Sequence, residues 1–141
     1  MINTKLTRKA MVIAYEAHKN QVDKSGVPYI YHPIHVAEQM DTENECIIAL
    51  LHDVVEDTNV TFKQLEEVFS KEIIDIIKLL TREENIEYDE YIKRIKNNSI
   101  ACKVKIADLT HNLDKTRLDF VTEVDVKRNE KYKKALQILC K

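Results

Sequence analysis

Four side chains that could do chemistry crowd together in an otherwise apolar run: His52, Asp53, Glu56 and Asp57, within CIIALLHDVVEDT. Ile47, Ile48, Leu50, Leu51, Val54 and Val55 accompany them, and carboxylates buried among such residues are costly unless a cation or strong donors meet them. A metal ion would meet them. On one continuous helix Asp53 lies a turn from both Glu56 and Asp57, and His52 lies four residues from Glu56, so a single ridge would present all four groups. Imidazole nitrogen with carboxylate oxygen suits Mn²⁺, Fe²⁺, Co²⁺ or Zn²⁺, whereas Ca²⁺ takes oxygen alone. Such an ion acidifies a bound water and neutralises charge on a phosphoryl oxygen, while a neighbouring carboxylate accepts the proton. Hydrolysis at phosphorus is the chemistry this combination suits.

Further ligands must come from elsewhere in the chain. His32 ends the stretch DKSGVPYIYHP, and Asp108 interrupts an apolar pattern with His111 and Asn112 three and four residues later. These two are the best candidates, and His111 is placed to orient Asp108 or a substrate. Lys24, Lys103, Lys105, Lys115 and Arg117 lie near the motifs, but surface lysines and arginines mostly serve solvation. His18 and His35 read as packing groups or as supports behind the ligands. Tyr29 and Tyr31 flank the loop before His32 and read equally as pocket walls or scaffold. Cys46 and Cys102 read as small core residues.

The elements that must position these groups are helices. One Gly and two Pro in 141 residues are too few for the tight turns of an all-β protein. Both prolines and the only glycine fall in 23–33, the one obvious structured loop. Helical spacing predicts a first helix over 4–21, a short one over 33–41 with Pro33 in its first turn, and a central one behind a Thr42–Glu45 capping box. That central helix is apolar almost all round, as expected of one surrounded by others. A second capping box, Thr61 with Gln64, and Ser70 as N-cap open two shorter helices. Three more are expected over 88–97, 99–115 and 123–139, with Ile100, Val104, Ala107 and Leu113 as the inward stripe of the second of these.

Length and composition bound the rest. A chain of 141 residues suits one compact all-α domain spanning 1–141, with no sign of repeats or linkers. A net charge of −2 leaves no basic field for long nucleic acid. No apolar run approaches the ~20 residues needed to span a bilayer, so no membrane partner is expected. Cys46, Cys102 and Cys140 are odd in number and form no C-x-x-C pair, which fits a reducing cytoplasm. Oligomeric state is not legible.

In order, AHKNQVDKSGVPYIYHPIHVA (17–37), IALLHDVVEDTNVTFKQLEEVFSKEI (48–73) and CKVKIADLTHN (102–112) resemble the hydrolase domain of Rel/Spo-type alarmone hydrolases, of the HD superfamily of phosphohydrolases. The resemblance covers nearly the whole chain. It implies an all-helical HD domain that binds one Mn²⁺ and removes the 3′-pyrophosphate of guanosine tetra- or pentaphosphate. It also implies His32, His52, Asp53 and Asp108 as metal ligands, with Glu56 and Asp57 as the acidic pair that orients and deprotonates the attacking water. Lys24, Ser25 and Asn112 would contact the nucleotide. Two positions depart from the pattern: Asp23 and Leu109 stand where the family usually has Arg, and neither can stack on a base or grip a phosphate as Arg does. Two alternatives therefore stay open. One is the same metal chemistry on another nucleotide, such as a nucleoside monophosphate, a deoxynucleotide or NADPH. The other is a nucleotide-binding module without turnover.

Overall fold

The structure, a computed structural model, describes residues 1–141 and is helical throughout, apart from one isolated β-bridge between Val22 and Pro28. In chain order the helices are α1 (Lys5–His18), α2 (Tyr31–Glu38), α3 (Glu43–Leu51), α4 (Val54–Asp57), α5 (Phe62–Glu66), α6 (Lys71–Leu80), α7 (Tyr88–Lys96), α8 (Ser99–Asn112) and α9 (Glu123–Leu139). A single 3₁₀ turn, Lys115–Arg117, joins α8 to α9.

Side-chain caps start most of these helices where the sequence puts a small polar residue. Thr4, Thr61 and Thr122 form reciprocal capping boxes with Thr7, Gln64 and Asp125, and Ser70 and Asn98 accept amides at the first turns of α6 and α8. The box expected at Thr42 is only half made. Thr42 accepts the Glu45 amide, but the Glu45 carboxylate takes the Asp41 amide and Lys103 instead. Lys103 thereby ties α8 to the start of α3.

Helix α3 is the middle of the molecule. Cys46 through Leu51 are fully buried, and the helix packs against α1, α2, α6 and α8. That agrees with an apolar circumference. Continuity of the helix does not hold: α3 stops at Leu51, His52 caps it, and Asp53 (φ −107°, ψ −3°) restarts the chain as α4. Other expectations shift as well: α2 runs Tyr31–Glu38 rather than 33–41, and α8 ends at Asn112 rather than residue 115. The first helix ends at His18 rather than residue 21, and the buried stripe of α8 runs through Ala101, Val104 and Asp108 with Leu109, leaving Ile100, Ala107 and Leu113 only half-buried. The cause is Asp108 itself, because the helix turns its carboxylate inward.

Candidate metal centre

The break between α3 and α4 decides the geometry. Neighbouring residues on a regular helix point about 100° apart and cannot share a target. At the break they can: His52 Nε2 and Asp53 Oδ2 lie 3.0 Å apart. The ridge of four groups inferred from a continuous helix is therefore replaced by a corner. His52 turns into the core, and Asp53 stands at the N-cap of α4, whose single turn carries Glu56 and Asp57 outward to exposed positions.

Two other helices aim at the same corner. His32, second residue of α2, brings Nε2 to 2.8 Å from Asp108 Oδ1 and 4.0 Å from Asp53 Oδ2. Asp108 Oδ1 also lies 3.3 Å from His52 Nε2. One atom from each of His32, His52, Asp53 and Asp108 falls within 4.8 Å of the others, a set of two imidazole nitrogens and two carboxylate oxygens. A second trio, Asp53, Glu56 and Asp57, meets the same criterion toward solvent. His32, His52 and Asp108 are nearly inaccessible to water.

The remaining atoms of these side chains are held from behind. His52 Nδ1 lies 2.6 Å from the Ala49 carbonyl, which fixes the proton on Nδ1 and frees the Nε2 lone pair. His32 Nδ1 meets His111 Nδ1 at 2.7 Å, and the His111 ring stacks on His35 with centroids 3.9 Å apart. Tyr29 donates its hydroxyl to Asp53 Oδ2 at 2.5 Å. Lys105 donates to Asp108 Oδ2 at 2.9 Å, and Asn112 donates to Asp108 Oδ1 at 3.2 Å. Convergent donors with oriented partners behind them fit a divalent transition-type ion.

Electrostatics follow from burial and these partners. Burial opposes charge on His52, but Asp53 and Asp108 outweigh it and raise its pKa well above 6.5. Burial likewise opposes ionisation of Asp108, yet Lys105 and the two histidines hold its pKa well below the usual carboxylate range. At Asp57, an exposed residue whose carboxyl is partly shielded from solvent beside the site, that partial desolvation and then the neighbouring Asp53 and Glu56 push the carboxyl up to about 6. His111 is lowered to about 4 by burial, Arg117 and His32, so it stays neutral and can pair with His32.

The acidic pair is anchored by the backbone around it. Glu56 Oε1 accepts the Arg82 amide at 2.8 Å, and Gln21 donates to the Asp57 carbonyl at 2.9 Å. Gln21 in turn meets His18 Nδ1, and the buried His18 ring packs on Tyr29 with centroids 4.9 Å apart. His18 thus supports the site from behind, whereas His35 is exposed.

Lys24 and Ser25 sit on the loop after α1. Gly26, at φ +81°, lets the chain turn back, and Asp23 Oδ1 accepts the amides of Ser25 and Val27. Lys24 reaches Asp125 of α9 at 2.5 Å, and the Ser25 hydroxyl donates to the Arg117 carbonyl at 2.6 Å. Both therefore tie the loop to the segment after α8. Lys24 and Asn112 also line a common cleft of about 250 Å³ beside the metal cluster.

Gln21 and Arg82 are the supports that residue types alone did not single out, while Tyr29 and Lys105, noted in the sequence without a definite role, stand behind the ligands. For Lys105 and Tyr29 a signal existed, since each stands three residues from a candidate ligand, Asp108 and His32. Arg82 contributes only its backbone, which no spacing rule reveals.

Comparison with known proteins places these observations in a wider set. A family model described as HD domain matches residues 10–107. A zebrafish (Danio rerio) relative, guanosine-3′,5′-bis(diphosphate) 3′-pyrophosphohydrolase MESH1, is 35% identical over 79% of this chain and 69% of its own length. The bifunctional (p)ppGpp synthase/hydrolase SpoT of Escherichia coli (strain K12) is 31% identical over 77% of this chain and 18% of its own. The chain spans less than a fifth of the length of such bacterial relatives. A solved structure described as a metazoan ortholog of SpoT that hydrolyzes ppGpp aligns with a TM-score of 0.81 at 24% identity, covering 99% of this chain and 88% of that one. That likeness concerns the fold.

Proposed function

The chain belongs to the HD domain family, and from that premise we propose that it is a metal-dependent phosphohydrolase that removes the 3′-pyrophosphate of guanosine tetra- or pentaphosphate, acting as one domain over 1–141 in the cytoplasm. The observation that carries this reading is the convergence of His32, His52, Asp53 and Asp108 within 4.8 Å, with carboxylates at the mouth. The relatives' names supply the substrate class.

His32, His52, Asp53 and Asp108 would hold one Mn²⁺. Bound there, the ion supplies an acidified water and charge neutralisation at a phosphoryl oxygen. The rest falls to the protein's own side chains. Asp57, with a carboxyl at about 6, is matched to accepting a proton near neutral pH, and Glu56, held by the Arg82 amide, fixes the direction of the water. Water adds across the bond between the ribose 3′-oxygen and the diphosphate, so pyrophosphate leaves and the 3′-oxygen gains a proton. Lys24, Ser25 and Asn112 contact the nucleotide, Asn112 from a position already bonded to Asp108. Lys24 stays half-exposed beside the cleft.

Purified protein with Mn²⁺ and guanosine tetraphosphate should release pyrophosphate, and chelation should stop it. A second reading, the same chemistry on another nucleotide, is favoured by Asp23 and Leu109, so the assay includes nucleoside monophosphates, deoxynucleotides and NADPH. Absence of turnover on all of them, with any divalent transition metal, would overturn hydrolysis and favour a binding module.

A further inference from the structure

Away from the metal cluster, two of the three thiols lie together. Cys102 on α8 is half-buried, and Cys140 caps the end of α9 in an exposed position. The Cys102 thiol donates to the Leu139 carbonyl at 3.6 Å, and that peptide group leads directly into Cys140. Because a carbonyl oxygen sits within ~3 Å of the next Cα across a trans peptide, the Cys102 sulfur lies no more than about 6.5 Å from the Cys140 Cα. Burial, and then the neighbouring Cys140 thiol, push the Cys102 thiol up, which reflects the same proximity. Cys46 is placed elsewhere, fully buried on α3 with its thiol toward the Ile2 carbonyl at 3.8 Å. Helix α9 is the element that the pair could fasten. Of its 17 residues only Asp125, Asn129, Ala135 and Leu139 are buried, and elements with few buried apolar contacts open first. Its first turn nevertheless carries Asp125, the partner of Lys24.

We infer that Cys102 and Cys140 form a reversible disulfide that fastens α9 to α8 when the protein meets a peroxide oxidant. Rotation of the exposed Cys140 side chain, at a helix end where the backbone has give, brings the two sulfurs to bonding distance. The exposed thiol reacts first. Cys140 attacks hydrogen peroxide as its thiolate, so its sulfur becomes a sulfenic acid and one water leaves. Cys102 then gives up its proton and attacks that sulfur; the S–S bond forms, and the sulfenic hydroxyl departs with the proton as a second water. Two thiols have lost two electrons and two protons, and the peroxide has taken up both. A dithiol reductant reverses the bond by exchange and is itself closed to a disulfide. That behaviour suits a reducing compartment, where protein disulfides are transient. The linkage joins positions far apart in the chain, since Cys102 and Leu139 are already 37 residues apart, and closing a long loop removes much freedom from the unfolded state.

The test is peptide mass spectrometry and thermal melting of the purified full chain before and after treatment with hydrogen peroxide, with remaining thiols alkylated under denaturant. The oxidised protein should yield Cys102 linked to Cys140, with Cys46 recovered as a free thiol. Its Tm should rise by roughly 5 °C or more and fall back with dithiothreitol. Amide hydrogen exchange across 123–139 should slow in the oxidised form. Cys140→Ser, a change at an exposed position, should abolish the link, the rise in Tm and the slowed exchange together. Oxidation that leaves Cys102 and Cys140 unlinked, or that joins Cys140 between two molecules on a non-reducing gel, overturns the inference. An internal bond that leaves Tm and α9 exchange unchanged overturns it as well, because such a bond fastens nothing.

Discussion

His52 and Asp53 are consecutive in the chain, yet their Nε2 and Oδ2 atoms lie 3.0 Å apart because the helix that carries them breaks between Leu51 and Val54. Asp53 also receives the Tyr29 hydroxyl, so it joins the loop side of the site to the core side. Replacing Asp53 by Ala should abolish Mn²⁺ binding and turnover while the far-ultraviolet helical signal persists, since α3 is buried independently of it. Mn²⁺ titration by calorimetry, with circular dichroism on the same sample, checks both halves. Retained Mn²⁺ affinity would remove Asp53 from the ligand set.

Glu56→Gln keeps an oxygen for the Arg82 amide and loses only the charge. It should leave Mn²⁺ affinity within a few-fold and lower kcat by ~10²-fold or more, as misplacing the attacking water relative to its proton acceptor does. Single-turnover pyrophosphate release measures this directly. A rate equal to wild type would assign the water to Asp57 alone.

Lys105 neutralises Asp108 from behind, with its own side chain only 13% exposed. Lys105→Met should lower the stability of the metal-free protein by roughly 3–5 kcal/mol, the cost of stranding one member of a buried pair. Saturating Mn²⁺ should recover most of that loss, because the ion supplies Asp108 with a new countercharge. Urea unfolding with and without chelator provides the comparison; equal losses in both conditions would contradict it.

Protons and metal compete for the same corner. His52 has a folded pKa raised above its ordinary 6.5, so its contribution to stability is complete below 6.5 and is lost as pH rises through the folded value. Asp57 is raised from 3.8 to about 6, so the folded chain favours its protonated form and that advantage fades as pH climbs between those values. Asp53 and Asp108 are lowered and remain ionised throughout this window. His52 and Asp57 therefore each favour the metal-free fold at about pH 5 over about pH 8, while the lowered His18 and His111 contribute in the opposite sense. Mn²⁺ affinity should rise with pH, since binding must expel the His52 proton. Thermal melts with and without Mn²⁺ across that range test this slope, and affinity that falls with rising pH would refute the competition.

Much of the architecture was legible from local rules. Thr61 and Ser70 cap helices where their spacing predicts, and the apolar run 46–51 is the buried middle. The break at His52–Asp53 was not legible, because VVED carries no Gly or Pro and its propensity is compatible with continuing the helix. Convergence with His32 and Asp108 imposes the break, and that is a tertiary demand. The inward place of Asp108 was legible from the polar residues three and four on, whereas the apolar stripe drawn through Ile100, Ala107 and Leu113 was not the buried one. The Asp23–Arg117 approach was equally hidden, joining positions far apart in the chain by a turn whose direction only Gly26 permits.

The Lys24–Asp125 bond spans 101 of the 141 residues. During synthesis in order, α1 to α3 can condense early and the loop can be fastened to Arg117 once α8 is made, but Lys24 has no partner until α9 has emerged. The cleft proposed to take the nucleotide is thus completed only when the last helix joins. Any cut that detaches α9 should leave a helical core that still collects metal yet grips nucleotide poorly.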